Sequence, residues 1–345
     1  MEIPKFLNHY FKVESNNFPA GFRIAQKVPV EFDSDTSIDN LWAIHSKAMD
    51  NYWQLYNRTI QDIQNFTDRP SVHPSLMDLK SEIADRIIEK CTYCGWRCRV
   101  NRKNKELGYC RIGSVSRCAS EFLHRGEEPE IVPSHTIFFT GCVFSCVYCQ
   151  NWDISTRPES GIRIKPLHLA KIIDARHREG SKNVNFVTPT PHLHTVLKTI
   201  NNISENLPVI WNSNMYHSEE ASELLEGIID VFLADFRYGN NRCAKKYSNI
   251  NNYTEVVKRN FKEAYQHSDI IIRHLVLPGH LECCTKPVIE WTVENITHVR
   301  FNLMFQYTPF YKSCEYPEIN RKLGLDEQEK AIQIAKNYGI EDLLV

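Results

Sequence analysis

The chain lacks the features that would direct it to a membrane, a nucleic-acid backbone or a secretory route. Its 41 Lys and Arg balance 42 Asp and Glu, so no net charge draws it toward nucleic acid or anionic lipid. No window approaches the roughly 20 apolar residues of a membrane helix. Residues 1–17 contain neither an apolar core nor a small-residue cleavage site. These absences predict a cytoplasmic protein with no membrane partner.

Cysteine is abundant: the 345 residues include 12, of which eight lie between Cys91 and Cys149. A reducing cytoplasm makes disulfides a poor explanation, and close cysteine spacing is typical of metal ligation. The other four are scattered, and we interpret them as small apolar residues: Cys243, Cys283, Cys284 and Cys314.

Hydrophobic periodicity divides the chain into three regions. Residues 1–90 predict an α-helical N-terminal region with helices over 39–64 and 76–90. Residues 91–118 form a cysteine-rich metal knuckle with too few apolar residues to fold without metal. In residues 119–345, six short apolar runs alternate with helix-length segments. This pattern predicts an α/β fold, an open partial (βα)6 barrel with its ligands at the carboxyl ends of the strands.

Three cysteines directly follow the first barrel strand with the spacing C-x3-C-x2-C: Cys142, Cys146 and Cys149. A cubane iron–sulfur cluster normally has four thiolate ligands, so three would leave one iron open. An open coordination position is typical of a reactive metal, whereas structural sites are closed. From the residues alone, the alternative is a zinc site completed by a distant side chain.

The segment TGCVFSCVYCQNWDIS (140–155) resembles the cluster loop of radical S-adenosylmethionine (SAM) enzymes, and more closely their pyruvate formate-lyase-activating-enzyme-like subgroup. The resemblance extends over residues 91 to about 340. It implies a 4Fe–4S cluster on Cys142, Cys146 and Cys149, whose open iron binds the amino and carboxylate groups of SAM. It further implies cleavage of SAM to methionine and a 5′-deoxyadenosyl radical, with an electron donor such as flavodoxin or ferredoxin.

The same resemblance implies SAM-binding residues on the cluster loop and at three later strand ends: Tyr148, Thr188, Thr190, Asn212, Ser213, Asp235 and Arg237. Two departures stand out. The Gly-Gly-Glu-like segment of activating enzymes is replaced by a segment around Thr190, and Arg237 stands where the subgroup tends to have Lys. The alternatives are a proline-fixed turn, helix capping and a structural Asp–Arg pair.

Other segments resembling the subgroup supply candidate catalytic residues: His124, Glu127 and Glu128 from HRGEEP, His274 from IRHLVLPGH, and Gln306 and Tyr307 from MFQYTP. We also expect His274 to contact the cofactor. The alternatives are a solvated turn, a hydrogen-bonded core histidine and barrel packing.

The knuckle cysteines have the spacing C-x2-C-x3-C-x11-C: Cys91, Cys94, Cys98 and Cys110. Four thiolates form a closed set for zinc or for a second 4Fe–4S cluster. We favour the cluster because an organism that makes this protein already assembles iron–sulfur centres. The basic residues around them are interpreted as a solvated loop, and nucleic acid is not expected as a partner: Arg97, Arg99, Arg102, Lys103 and Lys105.

These observations predict an enzyme that abstracts hydrogen by radical chemistry. The subgroup implies a protein substrate, the backbone glycine of a glycyl radical enzyme. Another protein, a lipid or a small molecule is the alternative. A non-catalytic iron–sulfur or zinc carrier is the alternative of a different class, but a carrier needs no cofactor-shaped cavity at the strand ends.

Overall fold

The computed structural model describes residues 5–345, so the first four residues of the predicted helical region lie outside the described range. The N-terminal region contains α1 (Asn8–Glu14), α2 (Gly21–Ala25), α3 (Ile38–Gln61), α4 (Ile63–Asp68) and α5 (Leu76–Ile87). Helices α3 and α5 match the two predicted from periodicity. The side chain of Ser37 caps α3, and Ser75 with Asp78 forms a capping box on α5.

One nine-stranded sheet forms the centre of the molecule. Its strands are β1 (Arg117–His124), β2 (Ser134–Phe139), β3 (Ile162–Arg163), β4 (Asn183–Val187), β5 (Val209–Ser213), β6 (Val231–Asp235), β7 (Asp269–Leu275), β8 (Arg300–Met304) and β9 (Asp342–Leu344). The spatial order is β3-β1-β2-β4-β5-β6-β7-β8-β9. Strands β2 and β4 to β9 run parallel, whereas β1 and β3 pair antiparallel at one edge.

The prediction of an α/β partial barrel is therefore confirmed, with additions at both edges of the sheet. The six predicted strands correspond to β2 and β4 to β8. Strand β9 has only three residues, which is too short to produce a periodic pattern. The division into three domains with boundaries at 90 and 118 stays a prediction.

The barrel helices are α6 (Trp152–Ser155), α7 (Pro166–Arg178), α8 (Leu193–Ile200), α9 (Glu219–Leu225), α10 (Asn241–Ser248), α11 (Tyr253–His267), α12 (Lys286–Asn295) and α13 (Leu325–Asn337). Helix α10 lies between β6 and α11 and was not predicted. Its start is capped by the side chain of Asn240, which accepts a hydrogen bond from the Cys243 amide at 2.9 Å. Within residues 5–345, no helix has both the length and the apolar character needed to cross a bilayer.

The N-terminal segment closes one end of the barrel. Phe6, Leu7 and Tyr10 form a buried cluster with apolar side chains of β5, β6 and β7. These strand residues lie toward the amino ends of the strands, opposite the edge where β2 leads into the cysteine motif. An open barrel exposes apolar interior surface unless another segment covers it, and this segment supplies that cover.

Asp230 fastens the N-terminal region to the sheet. Its carboxylate is 1% exposed and accepts hydrogen bonds from the backbone amides of Gly21, at 3.0 Å, and Val209, at 2.7 Å. His9 Nε2 lies 2.8 Å from the same carboxylate. Burial alone would lower the pKa of His9, but the charge of Asp230 and its hydrogen bond outweigh burial and raise it.

We expect Asp230→Ala to lower the free energy of unfolding by about 3–5 kcal/mol, because it leaves two buried amides and a buried imidazole without their acceptor. Urea unfolding measures the loss. Asp50→Ala, on the exposed face of α3, is the control and should change stability by less than about 0.5 kcal/mol.

The loss of stability in Asp230→Ala should also depend on pH. Because the pKa of His9 is raised in the folded state, the ion pair contributes fully below the unfolded value of about 6.5. The contribution disappears as the pH rises through the folded pKa. A penalty for Asp230→Ala that is equal at low and high pH would contradict the ion pair.

Candidate iron–sulfur active site

The cluster loop, residues 140–151, follows β2 and is held in a tight curl by backbone hydrogen bonds. The amides of Ser145 and Val147 donate to the carbonyl oxygens of Ser248 and Tyr247, at 3.1 and 2.9 Å, where α10 ends. Gly141 has φ +75°, and a Cβ at this position would lie 2.5 Å from Ile112 Cδ1 in the knuckle. Glycine is therefore required where the loop begins.

All three cysteines of the loop line a cavity of about 270 Å³ at the carboxyl end of the sheet. Among the described residues that line it there is no fourth cysteine and no histidine. Burial raises the pKa of the Cys142 thiol to about 12 and that of Cys146 to about 11. Buried thiols become thiolates when a cation binds them, so these cysteines fit iron. Because there are three of them, one iron of a cubane cluster has no protein ligand.

Hydrogen-bond donors surround the sulfur atoms. The Phe144 amide lies 3.4 Å from Cys142 Sγ, and Asn214 Nδ2 lies 3.8 Å from the same atom. The Ser248 hydroxyl lies 2.9 Å from Cys146 Sγ. Donors to thiolate ligands help to set the reduction potential of an iron–sulfur cluster.

The predicted SAM-binding residues, with the exception of His274, line the same cavity: Tyr148, Thr188, Thr190, Asn212, Ser213, Asp235 and Arg237. They come from the cluster loop and from the ends of β4, β5 and β6. Thr188 has φ +59°, a left-handed conformation that costs a threonine on the order of 1–3 kcal/mol and is typical of functional sites. Its amide donates to Asn212 O at 2.9 Å.

Arg237 is a cation that lines the cavity together with the loop cysteines. It forms an ion pair with Asp235, and its Nε is buried without a hydrogen-bond partner among the described residues. Burial alone would lower the pKa of Arg237, but the charge of Asp235 raises it. The guanidinium therefore stays charged and keeps a donor available to a carboxylate in the cavity.

His274 does not contact the cavity, contrary to our expectation. It is 1% exposed, its Nδ1 lies 2.7 Å from Phe236 O, and its Nε2 lies 3.0 Å from Thr285 Oγ1. Burial lowers the pKa of His274 to about 4. Because side chains alternate along a strand, its neighbours Arg273 and Leu275 line the cavity instead.

Glu127 lines the cavity, whereas Glu128 and His124 do not. Glu127 pairs with Arg273 and accepts a hydrogen bond from Asn185 Nδ2 at 3.2 Å. Glu128 lies beneath, 2% exposed, and accepts from Arg273 Nε at 2.8 Å. His124 Nδ1 lies 3.3 Å from Glu127 Oε1. The HRGEEP segment is thus an anchor for Arg273 rather than a solvated turn.

Of the last two predicted residues, Gln306 lines the cavity and is exposed. Tyr307 points away: it is 3% exposed and donates its hydroxyl to Ile319 O at 2.7 Å. Tyr307 is therefore a packing residue, in agreement with the alternative reading. Its direction again follows from the alternation of side chains along an extended segment.

Arg273 and Asn214 line the cavity but were not among the predicted site residues. The sequence could have predicted Arg273. Side chains alternate between the two faces of a strand, so Arg273 lies on the same face of β7 as Leu275 and on the opposite face from His274. No local pattern separates Asn214 from Asn212 and Ser213, because the three are consecutive residues at the carboxyl end of β5.

The four knuckle cysteines line a small cavity of their own. Burial raises the pKa of Cys94 and of Cys110, and the Tyr109 amide lies 3.4 Å from Cys98 Sγ. Four knuckle residues have left-handed backbone, with φ between +44° and +66°: Arg97, Arg99, Lys105 and Arg111. Such a backbone with little apolar content fits a segment folded around metal.

One of the basic knuckle residues is not solvated as expected. Arg102 is 1% exposed, donates to Gly113 O at 2.6 and 3.0 Å, and lies 3.8 Å from Cys91 Sγ. A buried guanidinium needs acceptors for its donors, and here they lie within the knuckle itself. Arg97 is exposed, as expected, and pairs with Glu220 on α9 at 2.8 Å, which fixes the knuckle to the barrel.

The knuckle packs directly on the cluster loop. Trp96 stacks on Tyr109 with ring centroids 3.8 Å apart. The Trp96 indole donates to Val143 O at 2.8 Å, and the Tyr109 hydroxyl donates to Ser145 Oγ at 2.9 Å. Val143 lines both cavities, so a single loop residue separates the two cysteine sites.

Comparison with known proteins supports an iron–sulfur active site at this position. Residues 136–292 match the radical SAM superfamily domain. An uncharacterized protein of Methanocaldococcus jannaschii is 45% identical over 343 residues, which cover 97% of this chain and 98% of that protein. The chain belongs to the radical SAM superfamily, and 97% of its length aligns with this archaeal relative. Membership implies an enzyme of radical chemistry with a 4Fe–4S cluster and SAM.

Two solved structures resemble the chain at 12% identity. Streptococcus suis SuiB bound to its precursor peptide SuiA aligns over 58% of this chain with a TM-score of 0.44, and the chain spans 44% of the length of SuiB. A domain of the pyruvate-formate lyase-activating enzyme of Bacteroides vulgatus aligns over 52% of this chain and 93% of that domain, with a TM-score of 0.32. Likeness at this level does not bear on function.

We expect Arg237→Ala to weaken SAM binding roughly 10- to 100-fold, the value of a charge-assisted hydrogen bond to a carboxylate. Calorimetric titration of the anoxic, reconstituted protein measures the affinity. Arg237→Lys should retain part of it because the charge is preserved. Arg242→Ala, on the exposed surface of α10, is the matched control. Unchanged affinity in folded Arg237→Ala would leave Arg237 a structural partner of Asp235.

Proposed function

We propose that the chain binds a 4Fe–4S cluster through Cys142, Cys146 and Cys149 and uses it to abstract a hydrogen atom from a substrate. In this chemistry one electron cleaves SAM to methionine and a 5′-deoxyadenosyl radical, which takes hydrogen from substrate to give 5′-deoxyadenosine. The observation that carries the proposal is the shared cavity. It contains three thiols, no fourth cysteine or histidine among its described lining residues, and a charged Arg237 whose Nε has no hydrogen-bond partner among the described residues.

Polar side chains of the cavity have complementary roles in this proposal. Arg237 holds the carboxylate of SAM, and Asp235 keeps the guanidinium in place through their ion pair. Thr190, Asn212 and Ser213 are buried and offer hydroxyl and amide groups to the ribose and amino groups. Because they extend from rigid strand ends, their geometry is set before the ligand binds.

The substrate occupies the part of the cavity beside β7 and β8. Arg273 and Glu127 provide a buried charged pair there, and Glu128 with Asn302 holds Arg273 from below. Gln306 both lines the cavity and is exposed, so the cavity reaches solvent beside β8. An opening at this point admits a segment of a protein substrate such as the glycine loop of a glycyl radical enzyme. Another protein, a lipid or a small molecule stays the alternative.

The knuckle is proposed to hold a second 4Fe–4S cluster. Two thiolates bound to one zinc ion lie about 3.8 Å apart, given a Zn–S bond of about 2.3 Å. Within residues 5–345, no three of Cys91, Cys94, Cys98 and Cys110 have sulfur atoms mutually within 4.8 Å. This wider separation favours a cubane, which binds each thiolate through a different iron. Through Val143 the second cluster lies next to the first, in a position to relay electrons from a flavodoxin or ferredoxin.

Cys146→Ala should abolish formation of 5′-deoxyadenosine, because one iron-binding thiolate is lost. The assay is anoxic incubation with dithionite and SAM, followed by chromatography of the products. Cys314→Ala, at an exposed cysteine outside both cavities, should retain the activity of the wild type. Turnover that persists in Cys146→Ala would reject the cluster assignment, and a wild type that releases no 5′-deoxyadenosine would favour a carrier.

Cys94→Ala should lower the iron content of the reconstituted protein by roughly four atoms per chain, the content of one cubane. Metal analysis and Mössbauer spectroscopy distinguish this loss from damage to the first cluster, whose SAM-dependent spectral change should remain. Loss of one zinc ion without loss of iron would instead assign the knuckle to zinc. If neither metal changes, the knuckle holds no metal.

A further inference from the structure

A third group of metal-binding side chains lies outside both cysteine motifs. The ligand atoms of Cys243, His280 and Cys283 all lie within 4.8 Å of one another, and no other such group occurs within residues 5–345. Our interpretation of these cysteines as scattered apolar residues misses that Cys243 and Cys283 lie together in the fold, although both pack with the core. They are 40 positions apart in sequence, but α10 and the segment that follows β7 bring them together.

The distances suit one ion rather than a cluster. Cys243 Sγ and Cys283 Sγ are 4.0 Å apart, close to the separation of about 3.8 Å for two thiolates on a tetrahedral zinc ion. Cys284 Sγ lies 4.0 Å from Cys283 Sγ and borders the group. The knuckle thiols, by contrast, form no such close triplet. The group of Cys243, His280 and Cys283 therefore fits a single ion, whereas the knuckle fits a cluster.

The surroundings of His280 resemble those of a metal-bound histidine. Its Nδ1 lies 2.7 Å from Pro278 O, a carbonyl contact of the kind that fixes the ring and leaves Nε2 as the ligand. Nε2 is 2.9 Å from the Tyr247 hydroxyl, whose proton goes to Glu318 Oε1 at 2.6 Å. With Nδ1 fixed by the Pro278 carbonyl, Nε2 is the nitrogen that a metal binds, and the metal takes the place of the Tyr247 contact.

Burial and contacts around the thiols also favour a metal site. Cys243 is 5% exposed and His280 7%, whereas Cys283 is half-buried and gives an ion access from solvent. Asn240 Nδ2 donates to Cys283 O at 2.6 Å and lies 3.9 Å from Cys284 Sγ. The backbone that carries the two adjacent cysteines is thereby fixed before any ion binds.

We propose that Cys243, His280 and Cys283 bind a single tetrahedral divalent ion of the zinc type, with Cys284 or water as the fourth ligand. The ion joins the first turn of α10 to the segment after β7. The last residue of α10, Ser248, contacts Cys146 Sγ and accepts a backbone hydrogen bond from the cluster loop. The site is therefore structural, and it steadies the helix on which the cluster loop rests.

The test is metal analysis and zinc X-ray absorption of the full-length protein, purified without oxygen. We expect about one zinc per chain with two or three sulfur ligands at about 2.3 Å and one imidazole nitrogen at about 2.0–2.1 Å. The nitrogen separates this site from the knuckle, whose four candidate ligands are all cysteines. Cys243→Ser and His280→Ala should each lose this zinc, and Cys314→Ser should keep it.

Several results would overturn the proposal. They are a zinc content that is unchanged in Cys243→Ser and His280→Ala, a zinc shell made of sulfur alone, absence of zinc from the wild type, and a Cys243–Cys283 disulfide in peptide mapping. Circular dichroism identifies variants that fail to fold. The absorption measurement on the wild type needs no variant, so the proposal can be tested even if each substitution unfolds the chain.

Discussion

The placement of three thiols in one cavity at the carboxyl end of the sheet is the constraint on which the rest of the active site depends. Burial raises the pKa of Cys142 and of Cys146, so these two thiols need a cation to become thiolate ligands. The loop keeps them together through hydrogen bonds to the end of α10 and through the left-handed turn at Gly141. The geometry for binding a cluster is therefore built by neighbouring elements rather than by the three cysteines alone.

The charged side chains of the cavity are likewise positioned by neighbouring residues with which they form ion pairs. Asp235 fixes Arg237, and Glu128 with Asn302 fixes Arg273 from beneath the cavity floor. A buried ion without a partner costs several kcal/mol, so these pairs make it possible to keep cations near a reactive centre. They also hold each guanidinium in one orientation, which favours recognition of a carboxylate.

Cysteine sites line one end of the barrel and share structural elements. The knuckle contacts the cluster loop through Trp96 and Tyr109, and α10 contacts it through Ser248. At the opposite end, Phe6, Leu7 and Tyr10 fill the barrel, and Asp230 fastens them. The N-terminal helical region thus completes the apolar interior of an open sheet and leaves the other end free for chemistry.

The amino-acid sequence by itself determined the main strands and helices and the two main cysteine motifs. Hydrophobic patterns predicted six strands and the long helices, because short apolar runs and the helical spacing of apolar residues are local properties of the chain. Motif spacing likewise identified Cys142, Cys146 and Cys149 before any coordinates. The resemblance to radical SAM enzymes indicated most of the cavity-lining residues at the ends of β4, β5 and β6 as well, and parallel strands place these carboxyl ends together.

Tertiary structure decided which face of each strand points into the cavity and which distant residues meet. His274 and Arg273 are adjacent, and only the register of β7 against β6 and β8 turns Arg273 inward. Cys243 and Cys283 carry no mutual signal in sequence, because their approach depends on the packing of α10 beside the segment after β7. A local sequence pattern predicts whether a residue lies in a helix or a strand. Which residues of different elements come into contact depends on how the whole chain folds.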